Sequence, residues 1–533
     1  METLYYNGSI ITMEAGTEPE AVVVKDGTIT FVGALAQARS TVSTRANFVD
    51  LHGQCLMPAF IDSHSHIFMN GQMSMCAQLS SCTSHQDIID TLRRYIEEKK
   101  IGPESVVIGI GYDHNFLLER SHPDKRVLDR VSTEIPIMIL HVSAHFACVN
   151  SKALELARIT SGISDPKGGV IGRLPNGAEP SGYFEEAGIT LVQGIMQQRV
   201  RVDMQTILSA MQRNYIENGI TTVQDGATTE EGWMALKAAS DIGLLKIDVV
   251  AYPLMTAEGV ELLHQNHERC RKYKRHLKVG GYKLVLDGSP QGRSAWMSEP
   301  YLNGEPGYCG YPWMEDEQVE AFVRIAVEEG QQLLAHCNGD AASEQYLNTY
   351  ERAIRETECR EDLRPVMIHC QTVRRDQLKR MARLNMIASI FVGHIFYWGD
   401  IHIGNFGPER GNRISPVREA IDCGVRVNFH QDTPVTRPDM LHSVWCAVNR
   451  VSQNGAVIGE DQKVSVYEAL KAVTIDAAFE YFEEDSKGSI RVGKRADLVI
   501  LDRSPLKVDP FSIKDIKVME TIKDGTAIYV RAC

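Results

Sequence analysis

Two histidines stand two residues apart in the stretch "FIDSHSH", which follows an apolar run. Such a run is typical of a buried strand, and side chains two residues apart on a strand point the same way. His64 and His66 are therefore expected to project together. Because imidazole is a good ligand for zinc and related divalent ions, the pair predicts half of a metal site. Taken alone, the pair also fits two structural histidines.

Further polar residues occur at the ends of other apolar, β-rich runs of the chain, or within them. They are His336 in "LLAHCNGD", His369 in "PVMIHCQT", Asp432 in "VNFHQDTPV" and Lys283 in "GYKLVLDG". The carboxyl ends of parallel strands in a barrel converge on one face, which is where catalytic groups lie. Isolated core histidines would not explain this recurrence, so the set predicts one shared site.

The elements that must position these residues are short β-rich runs that alternate with helix-like segments. Eight runs have this pattern: Cys55–Phe68, Ile220–Asp225, Lys246–Pro253, Gly281–Leu286, Gln331–His336, Pro365–Cys370, Met386–Val392 and Val425–His430. Strands that alternate with helices indicate a parallel sheet, and eight of them indicate a (β/α)8 TIM-type barrel. The predicted fold class is therefore α/β, with the barrel over residues 58–484.

Two further parts of the chain do not fit the simple alternation. The interval of about 70–218 is too long for one crossover and contains its own strand patterns, which predicts an inserted, lid-like subdomain after strand one. Residues 1–57 and 485–533 alternate apolar and polar residues around Lys-Asp-Gly turns. These two ends are predicted to form one small β-sandwich.

Composition limits the classes of partner and of cellular setting. The chain has 533 residues, 43% of them hydrophobic and 23% charged, with a formal net charge of -13. An acidic, globular chain without basic tracts is not expected to bind nucleic acid. No stretch approaches the length of apolar residues that a membrane span needs. With no export signal and twelve scattered cysteines, reduced thiols and a cytoplasmic location are expected. The expected partners are a small-molecule substrate and a second copy in a homodimer.

Six motifs, in the same order along the chain, carry a resemblance to a known family. They are "FIDSHSH", "KLVLDGS", "AHCNGD", "IHCQT", "HQDTPV" and "GSIRVGKRADLVILD". The sequence resembles the amidohydrolase superfamily, the metal-dependent hydrolases with a (β/α)8 barrel. Within it, the sequence is most similar to the branch that includes N-substituted formamide deformylases.

The resemblance implies two divalent ions, expected to be zinc, with manganese, cobalt or iron as alternatives. His64 and His66 would bind one ion together with Asp432. His336 and His369 would bind the other ion.

The resemblance also implies that Lys283 is N-carboxylated by CO2 and bridges the two ions. A free ammonium has no lone pair, whereas a carbamate offers anionic oxygens. The alternative is a strand lysine paired with a carboxylate such as Asp287. An unmodified Lys283 would leave room for a single-ion site.

The reaction expected of such a site is hydrolysis of an amide-type C–N bond other than a peptide bond, in an N-acyl, N-formyl or cyclic amide. Divalent metals lower the pKa of water, and Asp432 would take a proton from it and pass it to the leaving amine. A deaminase is the nearest alternative, but the family's deaminases usually carry a glutamate shortly after the residue that corresponds to His336, and "HCNGD" has none. Ester or lactone hydrolysis and a non-catalytic binding protein stay open.

Three residues outside the ligand set are candidates for binding substrate. His145 lies in the predicted insert, Arg293 follows the fourth strand, and Trp398 follows the seventh. Arg293 could hold a substrate carboxylate, and Trp398 could line an apolar pocket. The alternative roles are helix capping or packing for His145, a surface position for Arg293 and rim packing for Trp398.

Overall fold

The computed structural model describes residues 2–16, 18–142, 146–166, 169–175, 177–199 and 204–532. The chain divides into two compact units. One consists of Met1–Asn70 and Met211–Cys533, and the other of Gly71–Ala210. Among the described residues, no helix is both long enough and apolar enough to cross a membrane.

Eight parallel strands of the first unit occur in the order expected of alternating strands and helices. They are numbered one to eight: Phe60–Ile61, Ile220–Thr228, Asp248–Pro253, Leu277–Val279 continued by Gly281–Val285, Gln332–Cys337, Val366–His369, Ile387–Ile390 and Val427–Phe429. Each strand pairs with the next one in this order: strand three pairs with the first half of strand four, and the second half of strand four pairs with strand five. All these pairings are parallel.

Strand four connects the two sheets because it is interrupted at Gly280. Leu277–Val279 pairs with strand three, whereas Gly281–Val285 pairs with strand five. A Cβ atom at residue 280 would lie 2.2 Å from Cζ of Tyr252. The backbone can therefore pass Tyr252 only because residue 280 is glycine.

The predicted first strand, Cys55–Phe68, is wrong in its bounds. Cys55–Pro58 forms a separate strand that pairs with the carboxyl-terminal part of the chain, and only Phe60–Ile61 joins the parallel sheet. The chain changes sheets at Ala59, whose N–H donates to Asp497 O at 2.9 Å. The first two histidines consequently lie in the loop after strand one rather than in the strand.

Helices of this unit follow or connect the strands: Leu35–Thr41, Ile67–Met73, Met204–Glu217, Glu230–Asp241, Ala257–Gln265, Asp316–Glu328, Asp340–Thr357, Arg375–Arg383, Gly393–Asn412, Val417–Asp422, Met440–Asn449, Val466–Ala472 and Ile475–Glu480. Two of them reach a few residues across the division between the units. Asp316–Glu328 shows the sequence reason for helix formation, since Val319, Val323 and Val327 recur every four residues and are buried. Gly330 follows its end with a positive φ of 65°.

Both ends of the chain contribute strands to two further sheets. One sheet has the order Thr28–Gly33, Ala21–Lys25, Glu2–Tyr6 and Asn47–Asp50, and the other has the order Ser9–Ile10, Cys55–Pro58, Leu498–Leu501, Val518–Lys523 and Thr526–Val530. Tyr5 and Val22 from the first sheet share one apolar cluster with Leu56, Ile500 and Ile522 from the second. Burial of this cluster packs the two sheets together.

The unit Gly71–Ala210 contains a six-stranded sheet and its own helices. The strand order is Gly169–Arg173, Pro180–Glu186, Phe146–Val149, Ile137–His141, Val107–Tyr112 and Ala77–Gln78. The helices are His85–Lys99, Lys125–Asp129, Ser151–Leu156 and Thr190–Arg199. Ile137 and Ile139 lie in one apolar cluster and Met138 in another, so alternate side chains of this strand face two separate cores.

Candidate metal centre

The six predicted ligands lie in parallel strands of the first unit or in the loops that follow them. His64 and His66 follow strand one, Lys283 lies in strand four, His336 in strand five, His369 ends strand six, and Asp432 follows strand eight. Backbone hydrogen bonds hold the first and last of these loops together. The Asp432 N–H donates to His64 O at 3.2 Å, and the His66 N–H donates to Thr433 O at 2.8 Å.

Three of these side chains form a compact group. Asp432 Oδ1 lies 3.5 Å from His64 Nε2 and 3.2 Å from His66 Nε2. Ligand atoms that surround one zinc ion tetrahedrally are about 3.3 Å apart, given zinc–ligand distances near 2.0–2.1 Å. Asp432 Oδ1 is buried and has no hydrogen-bond partner among the described residues. A carboxylate oxygen in this position fits a cation held between the two rings.

His336 and His369 form a neighbouring pair. Nδ1 of His336 lies 3.1 Å from Nε2 of His369. The same Nε2 atom lies 4.0 Å from Asp432 Oδ2. One oxygen of Asp432 therefore faces the first group and the other faces this pair.

The opposite nitrogen of His64 is held by an amide. Nδ1 of His64 lies 2.6 Å from Oε1 of Gln224, and Nε2 of Gln224 donates to Ser63 O at 2.7 Å. Because this second bond fixes the orientation of the amide, His64 carries its proton on Nδ1. Its Nε2 lone pair is consequently directed towards Asp432.

His336 and His369 also have one ring nitrogen against a protein group. Nε2 of His336 lies 3.3 Å from Gly288 O and 3.0 Å from Asn338 Nδ2, so this nitrogen faces protein groups and Nδ1 faces His369. Nδ1 of His369 lies 3.1 Å from Nε2 of His430, whose own Nδ1 lies 2.9 Å from Ser389 Oγ. These contacts fix the ring orientations of both residues.

Burial sets the charge of the imidazoles. Desolvation lowers the pKa of His336 to about 4 and that of His430 to about 3. It also holds the pKa values of His64 and His369 well below the usual range of histidine. Neutral imidazole is the form that binds a metal, so the site is ready to do so at neutral pH.

Lys283 is buried among these groups. Its Nζ lies 3.3 Å from Nε2 of His64, and burial lowers its pKa to about 8 although Asp432 opposes that shift. The suggested pairing with Asp287 is not found. Asp287 instead accepts hydrogen bonds from the backbone N–H groups of Trp296, Asn338 and Gly339 at 2.7–3.0 Å.

Sequence reasoning did not identify three residues that shape the site. Gln224 orients His64, and a Cβ atom at Gly226 would lie 2.4 Å from Cε1 of His64. Glu480 is buried, accepts a hydrogen bond from Asn428 at 2.6 Å, and has its pKa raised to about 8, mainly by burial. Gln224 is a polar residue in strand two and could have been found by that signal.

Of the three predicted substrate residues, Arg293 and Trp398 lie among the described residues. His145 lies outside the described residues. Arg293 is exposed and donates to Asn303 O. Trp398 is half-buried, with its ring 4.6 Å from that of His394 and 5.9 Å from that of Phe391.

Comparison with known proteins gives full-length relatives. The chain is 28% identical to Protein LONG AFTER FAR-RED 3 of Arabidopsis thaliana, over 99% of this chain and 91% of that protein. It is 25% identical to N-substituted formamide deformylase of Arthrobacter pascens, over 99% of this chain and 98% of that one. A solved structure of an uncharacterized metal-dependent hydrolase from Pyrococcus horikoshii superposes with a TM-score of 0.78 at 25% identity, covering 96% of this chain and 99% of the other.

The family model described as "Amidohydrolase family" matches residues 47–529. That match includes strands one to eight and all six of the proposed ligands. The chain belongs to the amidohydrolase family.

Proposed function

We propose that this protein is a two-metal hydrolase that cleaves an amide-type C–N bond other than a peptide bond, in an N-formyl, N-acyl or cyclic amide. The observation that carries the proposal is the meeting of Asp432 with His64 and His66, which lie far from it in the sequence. Asp432 Oδ1 is 3.5 Å from Nε2 of His64 and 3.2 Å from Nε2 of His66. The relative named N-substituted formamide deformylase favours the N-formyl class.

We also propose that the eight parallel strands close into a (β/α)8 barrel. Support comes from Ser63, which follows strand one and donates to Asn428 Oδ1 at 2.8 Å and lies 3.0 Å from Phe429 O. Both of those residues are in strand eight. Closure of this kind brings all strand ends to one face, as the reaction requires.

A bound divalent metal would lower the pKa of a water molecule and polarise a carbonyl oxygen. Asp432 would accept a proton from the water through one carboxylate oxygen and later give that proton to the departing amine nitrogen. The rings of His64, His66, His336 and His369 would hold the metals. The rings of His64 and His369 are buried, where the lower dielectric strengthens their attraction for charge, and the side chains of His66 and His336 are 20% and 21% exposed.

Lys283 would supply the second anionic group. Its neutral amine nitrogen forms a bond to the carbon of CO2 and releases one proton, which gives an N-carboxylated lysine. The lowered pKa of about 8 supports this step, because a larger share of the amine is neutral near pH 7 than for an exposed lysine. Together with Asp432, the carbamate would offset much of the charge of two divalent ions.

Deamination is less well supported. Asp340, the acidic residue nearest to His336 on its carboxyl-terminal side, accepts a hydrogen bond from Ser298 N at 2.8 Å and from Arg374 Nη1 at 3.0 Å. These partners occupy both oxygens of its carboxylate. It therefore does not take the place of the glutamate that would protonate a heterocycle.

The test is amine release from matched substrates by the full-length, zinc-loaded chain. We expect turnover of at least one N-substituted formamide, N-acylamine or cyclic amide, loss of turnover with a chelator and recovery with zinc. Matched esters, lactones and amino-heterocycles serve as controls. Turnover restricted to esters or to amino-heterocycles, or turnover that a chelator leaves unchanged, would contradict the proposal.

A further inference from the structure

We propose that the unit Gly71–Ala210 contains a separate site for one divalent transition-metal ion, formed by Asp113, His114 and His141. These residues lie outside the strands that carry the centre described above. The site is argued from its own geometry and does not depend on the proposed hydrolysis.

The ligand atoms of the three residues already converge. Nδ1 of His114 lies 3.2 Å from Nε2 of His141, and Oδ1 of Asp113 lies 3.4 Å from the latter and 3.9 Å from the former. Ligands placed tetrahedrally around zinc are about 3.3 Å apart. Two of the three separations are close to that value, and the third needs a rotation of a partly exposed side chain.

The sheet determines this meeting point. Ile137–His141 pairs in parallel with Val107–Tyr112, and His141 lies opposite Tyr112. The two strands therefore end side by side, and Asp113 and His114 follow directly. Because the two strands are parallel and adjacent, their pairing fixes the backbone positions of the polar residues at their ends and so brings the side chains together.

Neighbouring groups hold two of the ligands in place. The ring of His114 stacks on that of His122 at 4.0 Å with an interplanar angle of 29°, and Tyr112 Oη lies 2.9 Å from His122 Nδ1. Asp113 accepts hydrogen bonds from Asn115 N at 2.9 Å and Asn115 Nδ2 at 3.0 Å. These bonds hold the Asp113 carboxylate in place beside the two rings.

The chemistry and exposure of the group indicate which ion it would take. Two imidazoles and one carboxylate suit zinc, cobalt or nickel, whereas magnesium and calcium prefer all-oxygen sets. The side chains of Asp113, His114 and His141 are 23%, 26% and 6% exposed. Solvent can therefore reach a fourth coordination position, which leaves room for water or a ligand anion.

The experiment measures zinc per chain in the full-length protein after removal of metal, incubation with zinc and dialysis. The variants Asp113→Asn and His141→Ala should each hold one zinc fewer per chain than the unmodified protein. The matched control is His85→Ala, a histidine of the same unit whose Nε2 lies 3.1 Å from Ser121 O, outside the cluster. It should keep the full zinc content.

The circular dichroism of the metal-free proteins shows which variants fold. Asp113→Asn preserves the size of the side chain, so its zinc content decides the question if His141→Ala fails to fold. In a zinc titration buffered by a competing chelator, folded Asp113→Asn should fill this site only at a free-zinc concentration at least about 10-fold higher than the unmodified protein needs. Equal zinc content and equal resistance to the chelator in Asp113→Asn and the unmodified protein would overturn the proposal.

Discussion

At the scale of single residues, the centre depends on which ring nitrogen of each histidine is free. His64, His336 and His369 each have one nitrogen against a protein group and the other directed into the site. This arrangement removes the need to select a tautomer when a metal binds. Burial also keeps the rings neutral, so protons need not be displaced near pH 7.

Gln224 provides the sharpest test of that arrangement. Replacing it with leucine removes the oxygen that lies 2.6 Å from His64 Nδ1. We expect the affinity for zinc to fall by about 10–100-fold, because His64 loses its fixed tautomer. Competition with a chelator measures this affinity. Gln224→Glu keeps an oxygen acceptor and should bind zinc more tightly than Gln224→Leu, and equal binding by both would argue against the tautomer role.

Asp432 is the residue to which proton transfer is assigned. Asp432→Asn should leave the circular dichroism unchanged and reduce kcat by at least about 100-fold on any substrate that the protein turns over. The partly exposed residue Glu217, which pairs with Arg213 at 2.7 Å, gives a control in Glu217→Gln. Full activity of Asp432→Asn would exclude the carboxylate as the proton carrier.

At the scale of elements, a loop and a strand must approach closely at the site. Gly226 in strand two lies where any side chain would collide with His64, and its N–H donates to Ser65 O at 2.7 Å. Close backbone approach is the usual reason for glycine in a strand interior.

Gly226→Ala should therefore displace the ring of His64. We expect a loss of about 1–3 kcal/mol in the free energy of unfolding, together with weaker zinc binding. Urea unfolding of the metal-free protein and a zinc titration measure the two effects. Gly102→Ala is the control, since a Cβ atom there has no neighbour within 4 Å. Unchanged zinc affinity in Gly226→Ala would show that the contact does not position the ring.

Much of the arrangement of strands and helices could be predicted from the sequence. The predicted family and the predicted α/β class are confirmed. The apolar runs that end in polar residues predicted the parallel strands well, because each such run can be seen within a short stretch of the sequence. The strand bounds at Cys55–Phe68 failed because a change of sheet at Ala59 leaves no local signal. Gln224 and Glu480 were missed because their importance comes from contacts with residues far away in the sequence.

At the scale of the whole molecule, a buried ionic cluster joins the parallel strands to the chain's carboxyl-terminal part. Asp248, the first residue of strand three, lies 2.6 Å from both Lys487 Nζ and Lys523 Nζ. His276 Nδ1 lies 2.8 Å from its other oxygen. Burial alone would raise the pKa of Asp248, but the two lysines outweigh it and hold the pKa well below the usual range.

Asp248→Asn would remove the carboxylate that two buried lysines share, although Lys487 keeps Glu483 at 2.8 Å and Lys523 keeps Asp497 at 2.7 Å. We expect the free energy of unfolding to fall by about 1.5–3 kcal/mol near pH 7. Urea unfolding measures this loss. The partly exposed pair Arg213–Glu217 is the comparison, and Glu217→Gln should change stability by less than about 1 kcal/mol. A loss of similar size in the two variants would contradict the role of the cluster.

The same cluster predicts a pH dependence. Because the pKa of Asp248 is depressed in the folded state, its contribution is fully present above the unfolded value of about 3.9 and is lost as the pH falls towards the folded value. The stability difference between the unmodified protein and Asp248→Asn should therefore shrink below about pH 4. A difference that stays constant from pH 7 to pH 3 would show that Asp248 does not act through its charge.

The central claim is that imidazoles and a carboxylate from separate strands bind divalent metal for hydrolysis. Anomalous X-ray diffraction at the zinc edge, from crystals of the zinc-loaded chain grown with bicarbonate, tests it most directly. We predict one anomalous peak among His64, His66 and Asp432, a second between His336 and His369, and added density on Lys283 Nζ. Absence of anomalous signal at both positions in zinc-saturated crystals would contradict the account.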